Sequence, residues 1–124
     1  MSEQLQEEKA SETEQPQPLS PGFEWCLEPG QTNVKGLLEI FGGGTCVSSM
    51  TIYVTGPGTL TLEWHWAGNQ TLDGVTFQMK SSDGVITYGG GTAAWPVAAE
   101  DILRLTNNSP KPACLVINHT PCES

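Results

Sequence analysis

Glu63 and His65 are the two residues of this chain whose types and spacing come nearest to chemistry. On an extended strand, residues two apart share a face, and a carboxylate beside an imidazole can pass a proton as general base and acid. Turnover needs more than the pair: a nucleophile or a metal, and a concave setting that keeps water out. The sequence assigns no third partner. It carries no Gly-x-Ser-x-Gly elbow and no His-Glu-x-x-His. Gly42-Gly43-Gly44 precedes Thr45 without the lysine of a phosphate loop, and reads as a flexible turn. The expectation is therefore no catalytic set, no enzyme activity and no cofactor. Glu63 and His65 are expected on the solvated side of a strand, where they could serve in binding.

Metal ligation fares no better. The cysteines are Cys26, Cys46, Cys114 and Cys122, with no Cys-x-x-Cys among them, and the only histidines are His65 and His119. Zinc spacing is absent, and no metal site is expected. Four cysteines allow three pairings, among which spacing does not choose. The N-terminus is acidic and lacks the apolar core of a signal peptide, and no run approaches the roughly 18–20 apolar residues of a membrane span. Residence in a reducing cytoplasm follows as the expectation, with free, partly buried thiols. Three Asn-x-Ser/Thr sequons, at Asn69, Asn107 and Asn118, point the other way, but a chain this rich in Ser and Thr produces them by chance.

Tyr53, Tyr88 and Trp95 are the remaining candidates for binding. Exposed aromatics on a β-module stack on sugar rings or anchor a protein partner. Trp95 is the foremost of them, because it sits beside Pro96 in a less regular segment.

The element that positions these residues is Leu60-Thr61-Leu62-Glu63-Trp64-His65-Trp66, which alternates without a break. Leu60, Leu62, Trp64 and Trp66 fall on one side, and a face with two indoles, each burying on the order of 200 Å², requires a covering layer. Similar alternation over residues 50–55, 75–80 and 85–88, and apolar runs at 23–27, 37–41, 102–106 and 113–118, predict about seven or eight short strands. No helical pattern stands out. Gly56-Pro57-Gly58 and Ser81-Ser82-Asp83-Gly84 read as hairpin turns. Short strands at such spacing predict an all-β, antiparallel β-sandwich.

Composition divides the chain into a tail over residues 1–22 and a sandwich domain over residues 23–124. The tail holds Glu3, Glu7, Glu8, Glu12 and Glu14 against Lys9, and too little apolar surface to order itself, so it reads as a solvated segment or as an arm on a neighbour. The net charge is −9, and the cations beyond the tail, Lys35, Lys80, Arg104 and Lys111, are scattered. Phosphate backbones and anionic membranes are therefore unsuitable partners.

Residues 74–118 run strand, Asp-Gly turn, strand, triple-glycine loop, Trp-Pro-Val-Ala-Ala-Glu-Asp, Leu-Arg-Leu-Thr-Asn-Asn-Ser and a closing Leu-Val-Ile-Asn. This texture resembles small β-sandwich modules of tailed-phage virion proteins, including capsid decoration (cement) proteins. The resemblance implies a non-enzymatic protein presented in many copies on a shell. Its place would be the virion surface, or the cytoplasm of synthesis before assembly. Its partners would be proteins, either its own copies in a homo-oligomer or a capsid-like assembly. A second likeness, through Leu60-x-Leu-x-Trp-x-Trp, Phe77 and Leu103-x-Leu-x-x-Asn, is to the GOLD-type sandwich of cargo adaptors; the missing signal and anchor weigh against its membrane-trafficking members. The alternative function is a carbohydrate- or protein-binding module working through exposed aromatics.

Overall fold

The computed structural model describes residues 22–42 and 46–122. The tail, apart from Gly22, lies outside the described residues, as do Gly43 and Gly44. In chain order the elements are β1 (Phe23–Leu27), β2 (Thr32–Gly36), α1 (Leu37–Phe41), β3 (Cys46–Thr55), β4 (Thr59–His65), β5 (Thr76–Lys80), β6 (Ile86–Gly89), β7 (Trp95–Pro96), β8 (Ile102–Thr106) and β9 (Ala113–Pro121). They form an all-β sandwich of two antiparallel sheets. The first runs β1-β9-β3-β6, with β7 also on β3; the second runs β2-β8-β4-β5.

The β4 stretch is the seam between the layers, as its alternation requires. Leu60, Leu62, Trp64 and Trp66 are all 0 % exposed. Trp64 and Trp66 stack at 6.1 Å between ring centroids, and Phe41 and Trp95 close on Trp66 at 5.3 and 5.7 Å. The facing layer is built from the same periodicity: Trp25 and Leu27 on β1, Leu115 and Ile117 on β9, and Met50, Ile52 and Val54 on β3. Cross-strand partners share a face, so Trp25↔Leu115 and Ile52↔Ile117 place these side chains in one layer.

Both predicted hairpins are corrected. β3 and β4, joined by Gly56-Pro57-Gly58, lie in different sheets, and so do β5 and β6 on either side of the 3₁₀ turn Ser81–Asp83. Each connection is an arch across the sandwich. At the first, Gly58 donates its N–H to the Pro112 carbonyl at 2.9 Å, and Thr59 N–H bonds Ser109 Oγ at 3.0 Å, so the arch is tied to the β8–β9 crossing beside it. The actual hairpin is β4–β5, with Leu62 opposite Phe77 across a longer loop. Two successive half-buried strands bury their apolar faces equally well side by side or face to face, and alternation does not distinguish the two.

The segment Leu37–Phe41, predicted as a strand, is a short helix that buries Leu37, Ile40 and Phe41. That is the i, i+3, i+4 spacing of a helical face. In five residues it is too short a run to separate from a buried strand. The polar strand β2, which had no apolar pattern to announce it, pairs with β8 at the edge of the second sheet.

The expectation of free thiols is also overturned. Cys26 is bonded to Cys114 and Cys46 to Cys122, which leaves no free cysteine. One bridge fastens β9 to β1 and the other fastens its far end to the start of β3. Among the described residues no helix is long and apolar enough to cross a membrane.

Candidate functional site

The outward residues of β4 are Thr59, Thr61, Glu63 and His65, and register decides what stands beside them. Glu63 lies opposite Thr76 on β5 and Arg104 on β8; Thr61 lies opposite Gln78 and Thr106; Thr32 and Val34 extend these rows on β2. The result is a hydroxyl-rich face that carries a charged knot at Glu63, with Lys80 opposite Thr59 at its end. His65 Nε2 and Glu63 Oε2 are 3.0 Å apart, and Arg104 Nη1 donates to Glu63 Oε1 at 3.3 Å. The hydrogen bond with His65 is the largest influence on the Glu63 carboxyl and lowers its pKa; desolvation opposes this, and the Arg104 charge adds to the lowering.

Glu63 and His65 share the outward face of β4 within hydrogen-bond distance of each other, and Arg104 joins them. Arg104 was missed as a member, although its place between Leu103 and Leu105 marks it as outward-facing. The three side chains are 32–46 % exposed, and among the described residues His65 bonds only Glu63. The knot is a self-neutralising ion cluster on an open face.

The aromatic candidates do not join it. Tyr53 points outward from β3, opposite Val116, on the far side of the molecule. Tyr88 lies opposite Met50 on the inward side and packs on the core; burial pushes its hydroxyl pKa up. Trp95, expected as an exposed platform, sits edge-on against Trp66 and half-buried over Gly89, where an added Cβ would meet its ring. Trp66 reaches the same segment from below, donating its indole N–H to the Pro96 carbonyl at 2.8 Å. Trp95 is thus a lid on the core, and the five candidates occupy three different places.

His119 lies opposite Met50 on the inner side of β9, edge-on to Phe41 at 5.0 Å, and burial lowers its pKa. It does not converge with His65, which projects from the outer face of the other sheet. The one clustering of metal-ligand types among the described residues is Glu24 with Cys26 and Cys114. Those sulfurs are bonded to each other and offer no thiolate.

Two of the sequon asparagines are loop staples, both 0 % exposed. Asn69 Oδ1 accepts from the Thr71 and Leu72 N–H groups. Asn107 Nδ2 donates to the Leu27 and Lys111 carbonyls, and its Oδ1 accepts from Ser109 N–H and Oγ–H. Asp101, a carboxylate that sequence reasoning passed over, is 3 % exposed and accepts from Ala67 and Ala98 N–H, which tie the β4–β5 and β7–β8 loops together.

Set against known proteins, the chain matches no family model, no curated protein and no solved structure.

Proposed function

We propose that this chain is a non-enzymatic assembly module that attaches in several copies to a larger particle, in the manner of a decoration or cement protein. The observation that carries the proposal is the outer face of the second sheet. Its rows of Thr32, Thr106, Thr61 and Gln78, and of Val34, Arg104, Glu63 and Thr76, form a broad surface whose central charges already pair with each other. A second surface can cover the Glu63–Arg104 pair without stranding either charge, and the 47 % exposed Val34 adds apolar area to the face. The two disulfides favour a working place outside a reducing cytoplasm, such as the exterior of a virion.

Light scattering coupled to size exclusion tests this over a range of concentration. Defined oligomers are expected from the full chain, with dissociation on Thr61→Arg, which puts a charge at the centre of the face. Deleting residues 1–21 is expected to weaken association and leave folding intact. A strict monomer at every concentration, with no affinity for its native source particle, removes the proposal.

A further inference from the structure

A groove stands where the triple-glycine loop meets the adjoining ends of β3 and β9. Gly89, Gly90 and Gly91 have φ of +82°, +108° and +62°, which side-chain-bearing residues rarely adopt. Gly89 is also needed for packing, since a Cβ there would meet the Trp95 ring and the Ser48 carbonyl. Gly90 and Gly91 are different: nothing lies within 4 Å of where their Cβ atoms would be. Their backbone is left open to close approach by another molecule. At the same place β3 shifts register between Val47 and Ser49, and the Ser48 carbonyl accepts the Gly90 N–H at 2.9 Å. Bulges of this kind re-aim side chains and recur beside binding sites.

The groove so formed holds about 530 Å³, within the roughly 300–1,000 Å³ of small-ligand sites. Among the described residues its walls carry the hydroxyls of Ser48, Ser49, Thr92 and Thr120, and no charged or aromatic side chain. Among the described residues, the side-chain hydroxyl bonds belong to Thr32, Thr106 and Ser109, and to none of these four.

We propose that this groove binds a neutral, hydroxyl-rich ligand, a short oligosaccharide that runs from it along the outer face of the first sheet to Tyr53. Hydroxyls that both donate and accept match a polyol. The described walls hold no cation, which disfavours phosphate or sulfate groups, and no large apolar side chain, which disfavours a lipid or a hydrophobic peptide anchor. Ser49, Thr51 and Tyr53 are successive outward positions of β3, spanning about 13 Å. Tyr53, half-buried at the far end, offers the ring on which a sugar stacks. This site lies on the first sheet and does not depend on association through the second.

The test is a heteronuclear NMR titration of the full chain with maltotriose, cellotriose, mannotriose and N-acetylchitotriose at millimolar concentration. At least one is expected to shift the amides of Ser48, Ser49, Gly90, Gly91 and Tyr53 together. Thr120→Arg, at an exposed position, should weaken that binding roughly tenfold or more. Tyr53→Ala should weaken it about three- to tenfold. Both variants should keep the wild-type circular dichroism and disulfide map. The proposal is overturned if no trisaccharide moves these amides, if neither variant changes the affinity, or if only a sulfated oligosaccharide or an uncharged peptide binds there.

Discussion

Cys26 and Cys114 are direct partners in the β1–β9 register, and their disulfide lies on the outward side of the first sheet. The Cys46–Cys122 bond fastens the other end of β9 to β3, so the strand is held to both neighbours. The bridges span 88 and 76 residues of sequence. Loops of that length constrain the unfolded chain enough for each bridge to contribute about 4.5 kcal/mol in the chain-entropy account.

Non-reducing peptide mapping is expected to recover these two pairs and no other. Replacing Cys26 and Cys114 together by Ser should lower stability by about 2–5 kcal/mol, measured by urea denaturation. Recovery of free thiols in protein purified without reductant would contradict the fold as described.

Glu63 sets one acid limb of stability. Its folded pKa is lowered, so it contributes stability above its unfolded value and loses it as pH falls through the lowered folded value. Urea midpoints taken from neutral pH downward should show wild type ahead of Glu63→Gln near neutrality, with the gap closing in acid. A gap constant with pH would show that the ion cluster contributes nothing through charge.

His119 acts in the same direction at higher pH, for the opposite chemical reason. Burial disfavours its charged form, so the unfolded chain binds the proton first, and stability falls as pH drops below about 6.5. The loss levels off once the folded imidazole also protonates. Its NMR titration should give a pKa below that of a free histidine. His119→Phe, facing Phe41, should flatten the pH dependence in this window.

Asn107 is a single side chain holding three backbone groups, at Leu27, Ser109 and Lys111. Asn107→Ala should cost about 2–4 kcal/mol, because it leaves the buried Leu27 carbonyl and the Ser109 N–H without their partner. Asn107→Asp should cost at least as much, since a carboxylate oxygen would then face the Leu27 and Lys111 carbonyls. Thermal melts of the two variants measure both.

Much of the architecture was legible before any coordinate. The alternation through Leu60, Leu62, Trp64 and Trp66 marked a strand, its buried side and the need for a second layer, because the direction of successive side chains is a local property of extended backbone. By the same logic Glu63, His65 and Arg104 could be placed outward. That Arg104 would lie against Glu63 could not, since it depends on the β4–β8 register between residues 41 positions apart.

The chain by itself determined its class, its buried seam and its polar exterior, all consequences of period-two patterning and composition. Only the tertiary structure decided that Gly56-Pro57-Gly58 crosses between sheets, that Cys26 meets Cys114, that Trp95 covers Trp66, and that a bulge at Ser48 and three glycines open a groove. Each of these joins residues distant in sequence. A strand's own residues record which way it faces; which strand lies beside it is settled by how all the apolar faces are buried at once.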